Sequence, residues 1–137
     1  MLKQMTVIAL LCFSCVCVAA TMNKPEETKV STYNEDNTNI IVTRDHPEFT
    51  IKLKSNPTTG YSWFLREYDA KLIAPVNKKY KGPDKKLIGA GGFEIWTFKM
   101  KPNAFAVPHQ TSLRMIYARP WNKLDSGTQI VFHVTTN

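Results

Sequence analysis

The sequence predicts an all-β protein in which two antiparallel sheets pack as a sandwich. Short segments with strand character recur between turn residues over most of the chain, and apolar and polar side chains alternate within them. No segment after the first 20 residues shows convincing helical periodicity. Strands with one apolar face each must bury those faces against one another, which favours a sandwich. A closed barrel would satisfy the same pattern, and composition does not separate the two.

Seven segments carry the strand pattern. Alternation is clearest where Phe49, Ile51 and Leu53 are separated by threonine and lysine, because successive side chains of a strand point to opposite faces. Each segment is bounded by turn residues. The predicted strands are residues 40–44, 49–54, 61–68, 72–76, 93–100, 111–118 and 129–135. The polar segment before them has room for one more short strand at its end.

The first 20 residues have the pattern of a cleavable signal peptide. Lys3 precedes an apolar run at residues 7–18 that is short for a membrane span, and Val18-Ala19-Ala20 offers a small-residue cleavage site. We therefore expect a signal peptide at 1–20, a polar flexible leader at 21–39 and a sandwich domain at 40–137. The protein is then secreted or within the secretory or vesicular pathway, or in the periplasm of a bacterium, with no stable membrane insertion after cleavage.

Cleavage at this point would remove every thiol. Cys12, Cys15 and Cys17 all precede residue 20, so the mature domain would have no disulfide and no thiolate nucleophile. A retained membrane anchor, or lipid attachment at Cys15 or Cys17, is the alternative.

The chain is basic. It has a net charge of +7, and loss of Lys3 leaves 17 basic and 11 acidic side chains, a net charge of +6. Much of this charge lies in one stretch bearing proline and glycine, which predicts a solvated loop or a surface that steers the domain toward an acidic partner. Its lysines are Lys78, Lys79, Lys81, Lys85 and Lys86. Only Tyr80 interleaves with them, so we expect no nucleic-acid partner.

Constellations typical of enzymes are missing from the sequence. His46, His109 and His133 have no metal-ligand spacing, and no Gly-x-Ser-x-Gly elbow occurs. The carboxylates are scattered over the leader, the strand ends and the loops. We expect no catalytic residue, no metal and no cofactor, although a hydrolase whose residues meet only in the fold remains an alternative.

Three loops differ from ordinary connections between strands. The first, the proline loop, is Asn56-Pro57-Thr58-Thr59-Gly60, in which proline fixes one φ and glycine can adopt positive φ. The second, the glycine loop, is Gly89-Ala90-Gly91-Gly92, a costly segment to order unless backbone must approach something closely. The third, the tryptophan loop, is Arg119-Pro120-Trp121, which sets an indole at the end of a strand.

Each loop also has an ordinary interpretation. The proline loop is a possible hairpin turn, and the glycine loop a bulged or mobile connection. Trp121 could fold back to cap the core with Arg119 stacked on it. Trp and Arg are also the residue types that dominate the energetics of protein interfaces.

In their order and spacing, and with Tyr61, Trp63 and Tyr117 beside them, the three loops resemble those of the chagasin-like inhibitors of papain-like cysteine peptidases. The resemblance runs from residue 49 to the C-terminus. It implies an immunoglobulin-like antiparallel β-sandwich of about seven to eight strands, with the three loops clustered at one end as a wedge.

The resemblance also implies a partner and a site. The partner is a papain-like, cathepsin-type cysteine peptidase, and the protein is a monomeric, reversible inhibitor rather than an enzyme. Thr58 and Thr59 would lie nearest the catalytic cysteine, and the other two loops would grip the cleft walls. The implied partner-binding residues are Asn56, Pro57, Thr58, Thr59, Gly60, Gly89, Ala90, Gly91, Gly92, Arg119, Pro120 and Trp121. The alternative is an immunoglobulin-like adhesion or ligand-binding module that uses the same loops.

Overall fold

Eight strands form two four-stranded sheets in the computed structural model, which describes residues 30–84, 88–123 and 126–137. The strands are β1 (Ser31–Tyr33), β2 (Asn39–Val42), β3 (Glu48–Ser55), β4 (Ser62–Tyr68), β5 (Ile73–Lys81), β6 (Gly92–Met100), β7 (Gln110–Ala118) and β8 (Thr128–Thr136). Single-turn 3-10 helices lie in the connections at Pro57–Thr59 and Pro102–Phe105. The predicted signal peptide and residues 21–29 of the predicted leader lie outside the described residues, whereas the rest of the predicted leader contains β1 and the first residue of β2.

The strand order is β1-β3-β6-β5 in the first sheet and β2-β8-β7-β4 in the second. The predicted sandwich is confirmed, and its immunoglobulin-like class with it. Pairing is antiparallel except between β1 and β3 and between β2 and β8. Parallel neighbours need a crossover connection, and β2 in the opposite sheet supplies it between β1 and β3.

The core lies between the sheets and is built from the alternate residues that the sequence pattern assigned to the inside. Phe49, Phe98 and Phe132 are among its largest fully buried side chains, and the rings of Phe49 and Phe98 stack with centroids 5.4 Å apart. The buried apolar residues of this core are Ile40, Val42, Phe49, Ile51, Leu53, Trp63, Ile73, Phe98, Met100, Ala104, Leu113, Met115, Phe132 and Val134. Burial of these faces is what holds a domain without disulfides together.

The lysine-rich stretch is largely a strand, so its prediction as a solvated loop was wrong for Lys78, Lys79 and Lys81. Strand β5 pairs with β6 as far as the register Lys81 to Phe93, five residues beyond the predicted end at residue 76. An irregularity between Pro75 and Asn77 breaks the alternation there. Because β5 is an edge strand, it carries exposed lysines without burying their charges. Lys85 and Lys86 lie outside the described residues.

No helix within the described residues is long and apolar enough to span a membrane.

Replacing Phe98 by alanine should lower the free energy of unfolding by about 3–5 kcal/mol, because the ring is fully buried and leaves a cavity between the sheets. Chemical denaturation measures the change. Val131→Ala on the exposed face of β8 is the control and should change stability by less than about 0.5 kcal/mol. A loss below about 1 kcal/mol for Phe98→Ala would contradict the packing described here.

Candidate functional site

The strand ladders bring the three loops to one end of the sandwich. Strand β3 ends at Ser55 opposite Gly92, the first residue of β6, so the proline loop leaves the first sheet where the glycine loop enters it. In the second sheet, Ser62 at the start of β4 pairs with Ala118 at the end of β7. The proline loop therefore enters the second sheet where the tryptophan loop leaves it, and it joins the two sheets between the other two loops.

Hydrogen bonds connect the proline loop to both of its neighbours. The Asn56 side-chain amide Nδ2 donates to the carbonyl oxygen of Gly89 at 3.1 Å. On the other side, Arg119 Nε donates to the carbonyl oxygen of Thr59 at 3.2 Å. The Tyr117 hydroxyl of β7 also accepts the backbone N–H of Asn56 at 2.9 Å. The three loops thus form one connected surface, which we call the loop edge.

The proline loop is ordered by its own residues. Pro57 begins the 3-10 turn, and the hydroxyls of Thr58 and Thr59 donate to the side-chain and backbone oxygens of Asn56, each at 2.6 Å. Gly60 closes the turn with φ 79°, in the left-handed region that the sequence predicted for this glycine. Pro57, Thr58 and Thr59 are exposed, so the apex is shaped but not covered.

Trp121 lies on the surface and not in the core. Its side chain is 71% exposed, and its indole approaches Gly60 so closely that a Cβ there would lie 2.9 Å from Cη2. Arg119 places its guanidinium carbon 4.7 Å from the centroid of the Tyr61 ring, a cation–π arrangement that does not involve Trp121. A large apolar side chain is therefore presented beside the apex of the proline loop.

The glycine loop contributes backbone at the other side of the edge. Gly89 and Gly91 are exposed, whereas Gly92 is buried at the start of β6. A Cβ at Gly92 would clash with the carbonyl oxygen of Lys81. Glycine at position 92 is thus required by the pairing of β5 and β6.

A buried carboxylate lies directly beneath the proline loop. Glu94 is 2% exposed, and its Oε1 accepts hydrogen bonds from Ser55 Oγ at 2.8 Å, Ser62 Oγ at 2.9 Å and the Trp63 N–H at 3.1 Å. Lys78 Nζ lies 2.9 Å from Oε2. Because Ser55 ends β3 and Ser62 begins β4, one side chain holds both stems of the proline loop.

The sequence interpretation missed Glu94 and treated it as one of the scattered carboxylates. The alternation of β6 contained a signal, because it places Glu94 on the inward-facing side of the strand together with Trp96, Phe98 and Met100. A carboxylate in that position must be paired and hydrogen-bonded to be tolerated.

Burial raises the pKa of Glu94, but the ion pair with Lys78 and the hydrogen bonds from Ser55, Trp63 and Ser62 outweigh it and lower the pKa below its ordinary value. The group is therefore a structural anion. Among the residues described, no cluster of three or more His, Cys, Asp or Glu side chains could hold a metal ion.

The sandwich and its connected edge have the form of an immunoglobulin-like domain that presents loops at one end. A model of the chagasin family peptidase inhibitor I42 matches residues 44–136. This match covers more than half of the chain, and the chain therefore belongs to the chagasin family of peptidase inhibitors.

Chagasin of Trypanosoma cruzi is 40% identical over 75 residues, which are 52% of this chain and 64% of chagasin. The matched part thus spans slightly less than two-thirds of that relative.

Solved structures share the fold. The crystal structure of the cysteine protease inhibitor EhICP2 from Entamoeba histolytica has a TM-score of 0.63 and 18% identity, covering 79% of this chain and 96% of that one. The solution structure of Amebosin has a TM-score of 0.55 and 22% identity over 79% and 96% of the two chains. PbICP-C in complex with falcipain-2 has a TM-score of 0.53 and 16% identity over 78% and 88%.

Replacing Glu94 by glutamine should lower the free energy of unfolding by about 2–3 kcal/mol at neutral pH, because Lys78 loses its charge partner and the stems lose charge-assisted hydrogen bonds. The folded-state pKa of Glu94 is lowered, so its stabilisation is fully present above the ordinary pKa of 4.5 and is lost as pH falls through the folded-state pKa. The difference in stability between wild type and Glu94→Gln should therefore begin to shrink as pH falls below about 4.5 and should vanish only below the folded-state pKa.

Denaturant unfolding at a series of pH values measures this difference. Glu48→Gln is the control, since Glu48 forms an exposed pair with Lys99 at 3.2 Å and such pairs contribute little. A Glu94→Gln difference that is constant from neutral to acid pH would show that the charge of Glu94 does not stabilise the stems.

Proposed function

We propose that this protein is a reversible inhibitor of papain-like cysteine peptidases that occludes the active-site cleft with its loop edge. The observation that carries the proposal is the connection of all three loops through Asn56 and Thr59, which makes a single surface from segments far apart in sequence. Membership of the chagasin family gives that surface its target class.

The edge is suited to binding because its parts are ordered before a partner arrives. The two hydroxyls of Thr58 and Thr59 are tied to Asn56, and the stems are held by Glu94. Docking of such a surface costs little conformational entropy, so an interface of ordinary size can bind tightly.

The three loops take different roles in this proposal. Thr58 and Thr59, at the exposed apex, enter the cleft above the catalytic cysteine. Trp121 supplies the large apolar contact on one wall, and the exposed backbone of Gly89 and Gly91 lies against the other. Arg119 orients the apex through the Thr59 carbonyl oxygen.

The relatives support this target class. EhICP2 is described as a cysteine protease inhibitor, and PbICP-C has been solved in complex with falcipain-2. The mature domain would contain no cysteine once the signal peptide is removed, so inhibition proceeds by occlusion and not through a disulfide.

We further propose that the domain acts outside the cytosol after cleavage behind Ala20. The apolar run at residues 7–18 and the small residues that follow it support this location. Expression of the full chain in a secretory host should release a product whose N-terminal residue is Thr21, and retention of the uncut chain in membranes would contradict it.

Titration of papain with the purified mature domain tests the proposed function. Stoichiometric or tight-binding loss of hydrolysis of a peptide substrate is expected, with recovery on dilution. Absence of inhibition at micromolar concentrations, against papain and a cathepsin-type peptidase alike, would overturn the proposal. Recovery of glycans and no peptidase in a pull-down would favour the adhesion or ligand-binding alternative.

Replacing Trp121 by alanine should raise the inhibition constant by roughly 30-fold or more, the effect of losing an aromatic anchor worth about 2 kcal/mol. The free energy of unfolding of the variant should be unchanged, because Trp121 is 71% exposed. Inhibition kinetics and thermal unfolding are measured on the same preparation. Unchanged inhibition, or a domain that unfolds, would show that the indole has another role.

Replacing Thr59 by arginine should weaken inhibition by at least tenfold, because a long side chain at the exposed apex holds the edge away from the floor of a narrow cleft. Thr59→Ser keeps the hydroxyl that donates to Asn56 and is the matched control, with inhibition close to wild type. Equal inhibition constants for the arginine and serine variants would place the proline loop away from the centre of the interface.

A further inference from the structure

The outer face of the first sheet carries four lysines in a rectangular arrangement. Lys52 and Lys54 on β3 and Lys79 and Lys81 on β5 lie on either side of β6. In one row the register is Lys54, Phe93, Lys81, and in the next it is Lys52, Ile95, Lys79. Backbone positions are separated by about 6.7 Å along a strand and about 9.5 Å across β6. We call these four residues the lysine frame.

The positive charge of the lysine frame is compensated only in part, since Glu35 Oε1 accepts the backbone N–H of Lys54 at 2.7 Å. Lys79 has no ion pair among the described residues, and Lys81 lies 3.6 Å from Asp84, with 60% and 89% of the two side chains exposed. Lys52 Nζ lies 4.0 Å from the centroid of the Phe93 ring, and Phe93 lies on β6 between the lysines of β3 and those of β5. By contrast, Lys99, which lies two residues beyond Thr97 on β6, is paired with Glu48 of β3 at 3.2 Å.

Two observations separate the lysine frame from lysines with structural roles. Lys78 of the same strand points between the sheets and pairs with Glu94, so β5 already has its structural lysine. Edge-strand lysines such as Lys79 and Lys81 also hinder pairing with another chain, but Lys52 and Lys54 lie on β3, an interior strand of the sheet, so that role does not account for the whole frame. What the four charges together can do is attract a negatively charged partner to this face.

The lysine frame adjoins the loop edge. The row of Lys54 and Lys81 is followed in the ladder by the Ser55 to Gly92 pair, where the proline loop starts and the glycine loop ends. One residue of strand rise, about 3.3 Å, separates the frame from the start of these loops. A partner docked on the loop edge would come within about one Debye length, roughly 8 Å at physiological ionic strength, of the nearer lysines.

We infer that the lysine frame faces an acidic surface beside the active-site cleft of the target peptidase and accelerates association with it. The inference rests on the proposed function and deepens it, because it selects papain-like peptidases that are negatively charged next to the cleft. Complementary charge at the rim of an interface acts mainly on the association rate constant and its salt dependence. The contacts of the loop edge set the dissociation rate constant.

Stopped-flow kinetics of the mature domain with two papain-like peptidases, one acidic and one basic at the assay pH, tests the inference. For the acidic peptidase, Lys79→Glu should lower the association rate constant about three- to tenfold at low salt, with the dissociation rate constant unchanged. The difference from wild type should vanish in about 0.5 M salt. The basic peptidase should show no such loss.

Lys71→Glu is the matched control. Lys71 is exposed in the turn between β4 and β5, at the end of the sandwich away from the loop edge, and its reversal changes the net charge equally. It should lower the association rate constant by less than twofold. Lys79→Gln should give an intermediate effect, and thermal unfolding verifies that both Lys79 variants remain folded.

Equal effects of Lys79→Glu and Lys71→Glu would overturn the inference, because net charge alone would then explain the rates. A change confined to the dissociation rate constant would overturn it too. Inhibition with a salt-independent association rate constant would refute the lysine frame's role while leaving the proposed function intact. Binding to heparin through Lys79 under those conditions would assign the frame to a polyanionic partner instead. Failure of wild type to inhibit either peptidase would refute the proposed function itself.

Discussion

The loop edge depends on one buried carboxylate. Glu94 accepts hydrogen bonds from the last residue of β3 and the first two residues of β4, and it pairs with Lys78 on the edge strand β5. These contacts join both sheets at the point where the proline loop passes from one to the other. A buried carboxylate is costly unless it is paired and hydrogen-bonded, and here Oε1 accepts the three hydrogen bonds while Oε2 faces Lys78. The contacts of Glu94, which lies beneath the loop edge, thus stabilise the shape of the binding surface.

Strand alternation was sufficient to predict an all-β fold and its buried faces, because Phe49, Ile51 and Leu53 show on which side the core lies, but a closed barrel fitted the same pattern. It failed where both faces of a strand are polar. Strand β5 extends to Lys81 because it pairs with β6, and an edge strand with exposed lysines has no apolar period to detect. The parallel pairing of β1 and β2 with their neighbours is likewise a property of the whole topology, which short segments do not encode.

The candidate site was predicted only in part. Local chemistry singled out the three loops and accounts for the positive φ of Gly60, and resemblance to a family gave the loops a common role. The bonds from Asn56 to Gly89 and from Arg119 to Thr59 join residues 33 and 60 positions apart, so no local pattern reveals them. Gly92 was assigned to the binding loop, but the close approach of Lys81 shows that β-sheet pairing requires it to be glycine.

The glycine loop and the proline loop differ in how much their lengths can change. The glycine loop connects β5 to β6 within one sheet, so added residues extend a hairpin without moving its strands. The proline loop bridges β3 and β4 in opposite sheets, which pack about 10 Å apart, and its length is therefore fixed by the thickness of the core. Proteins of this fold can therefore vary the length of the glycine loop, whereas the length of the proline loop stays the same.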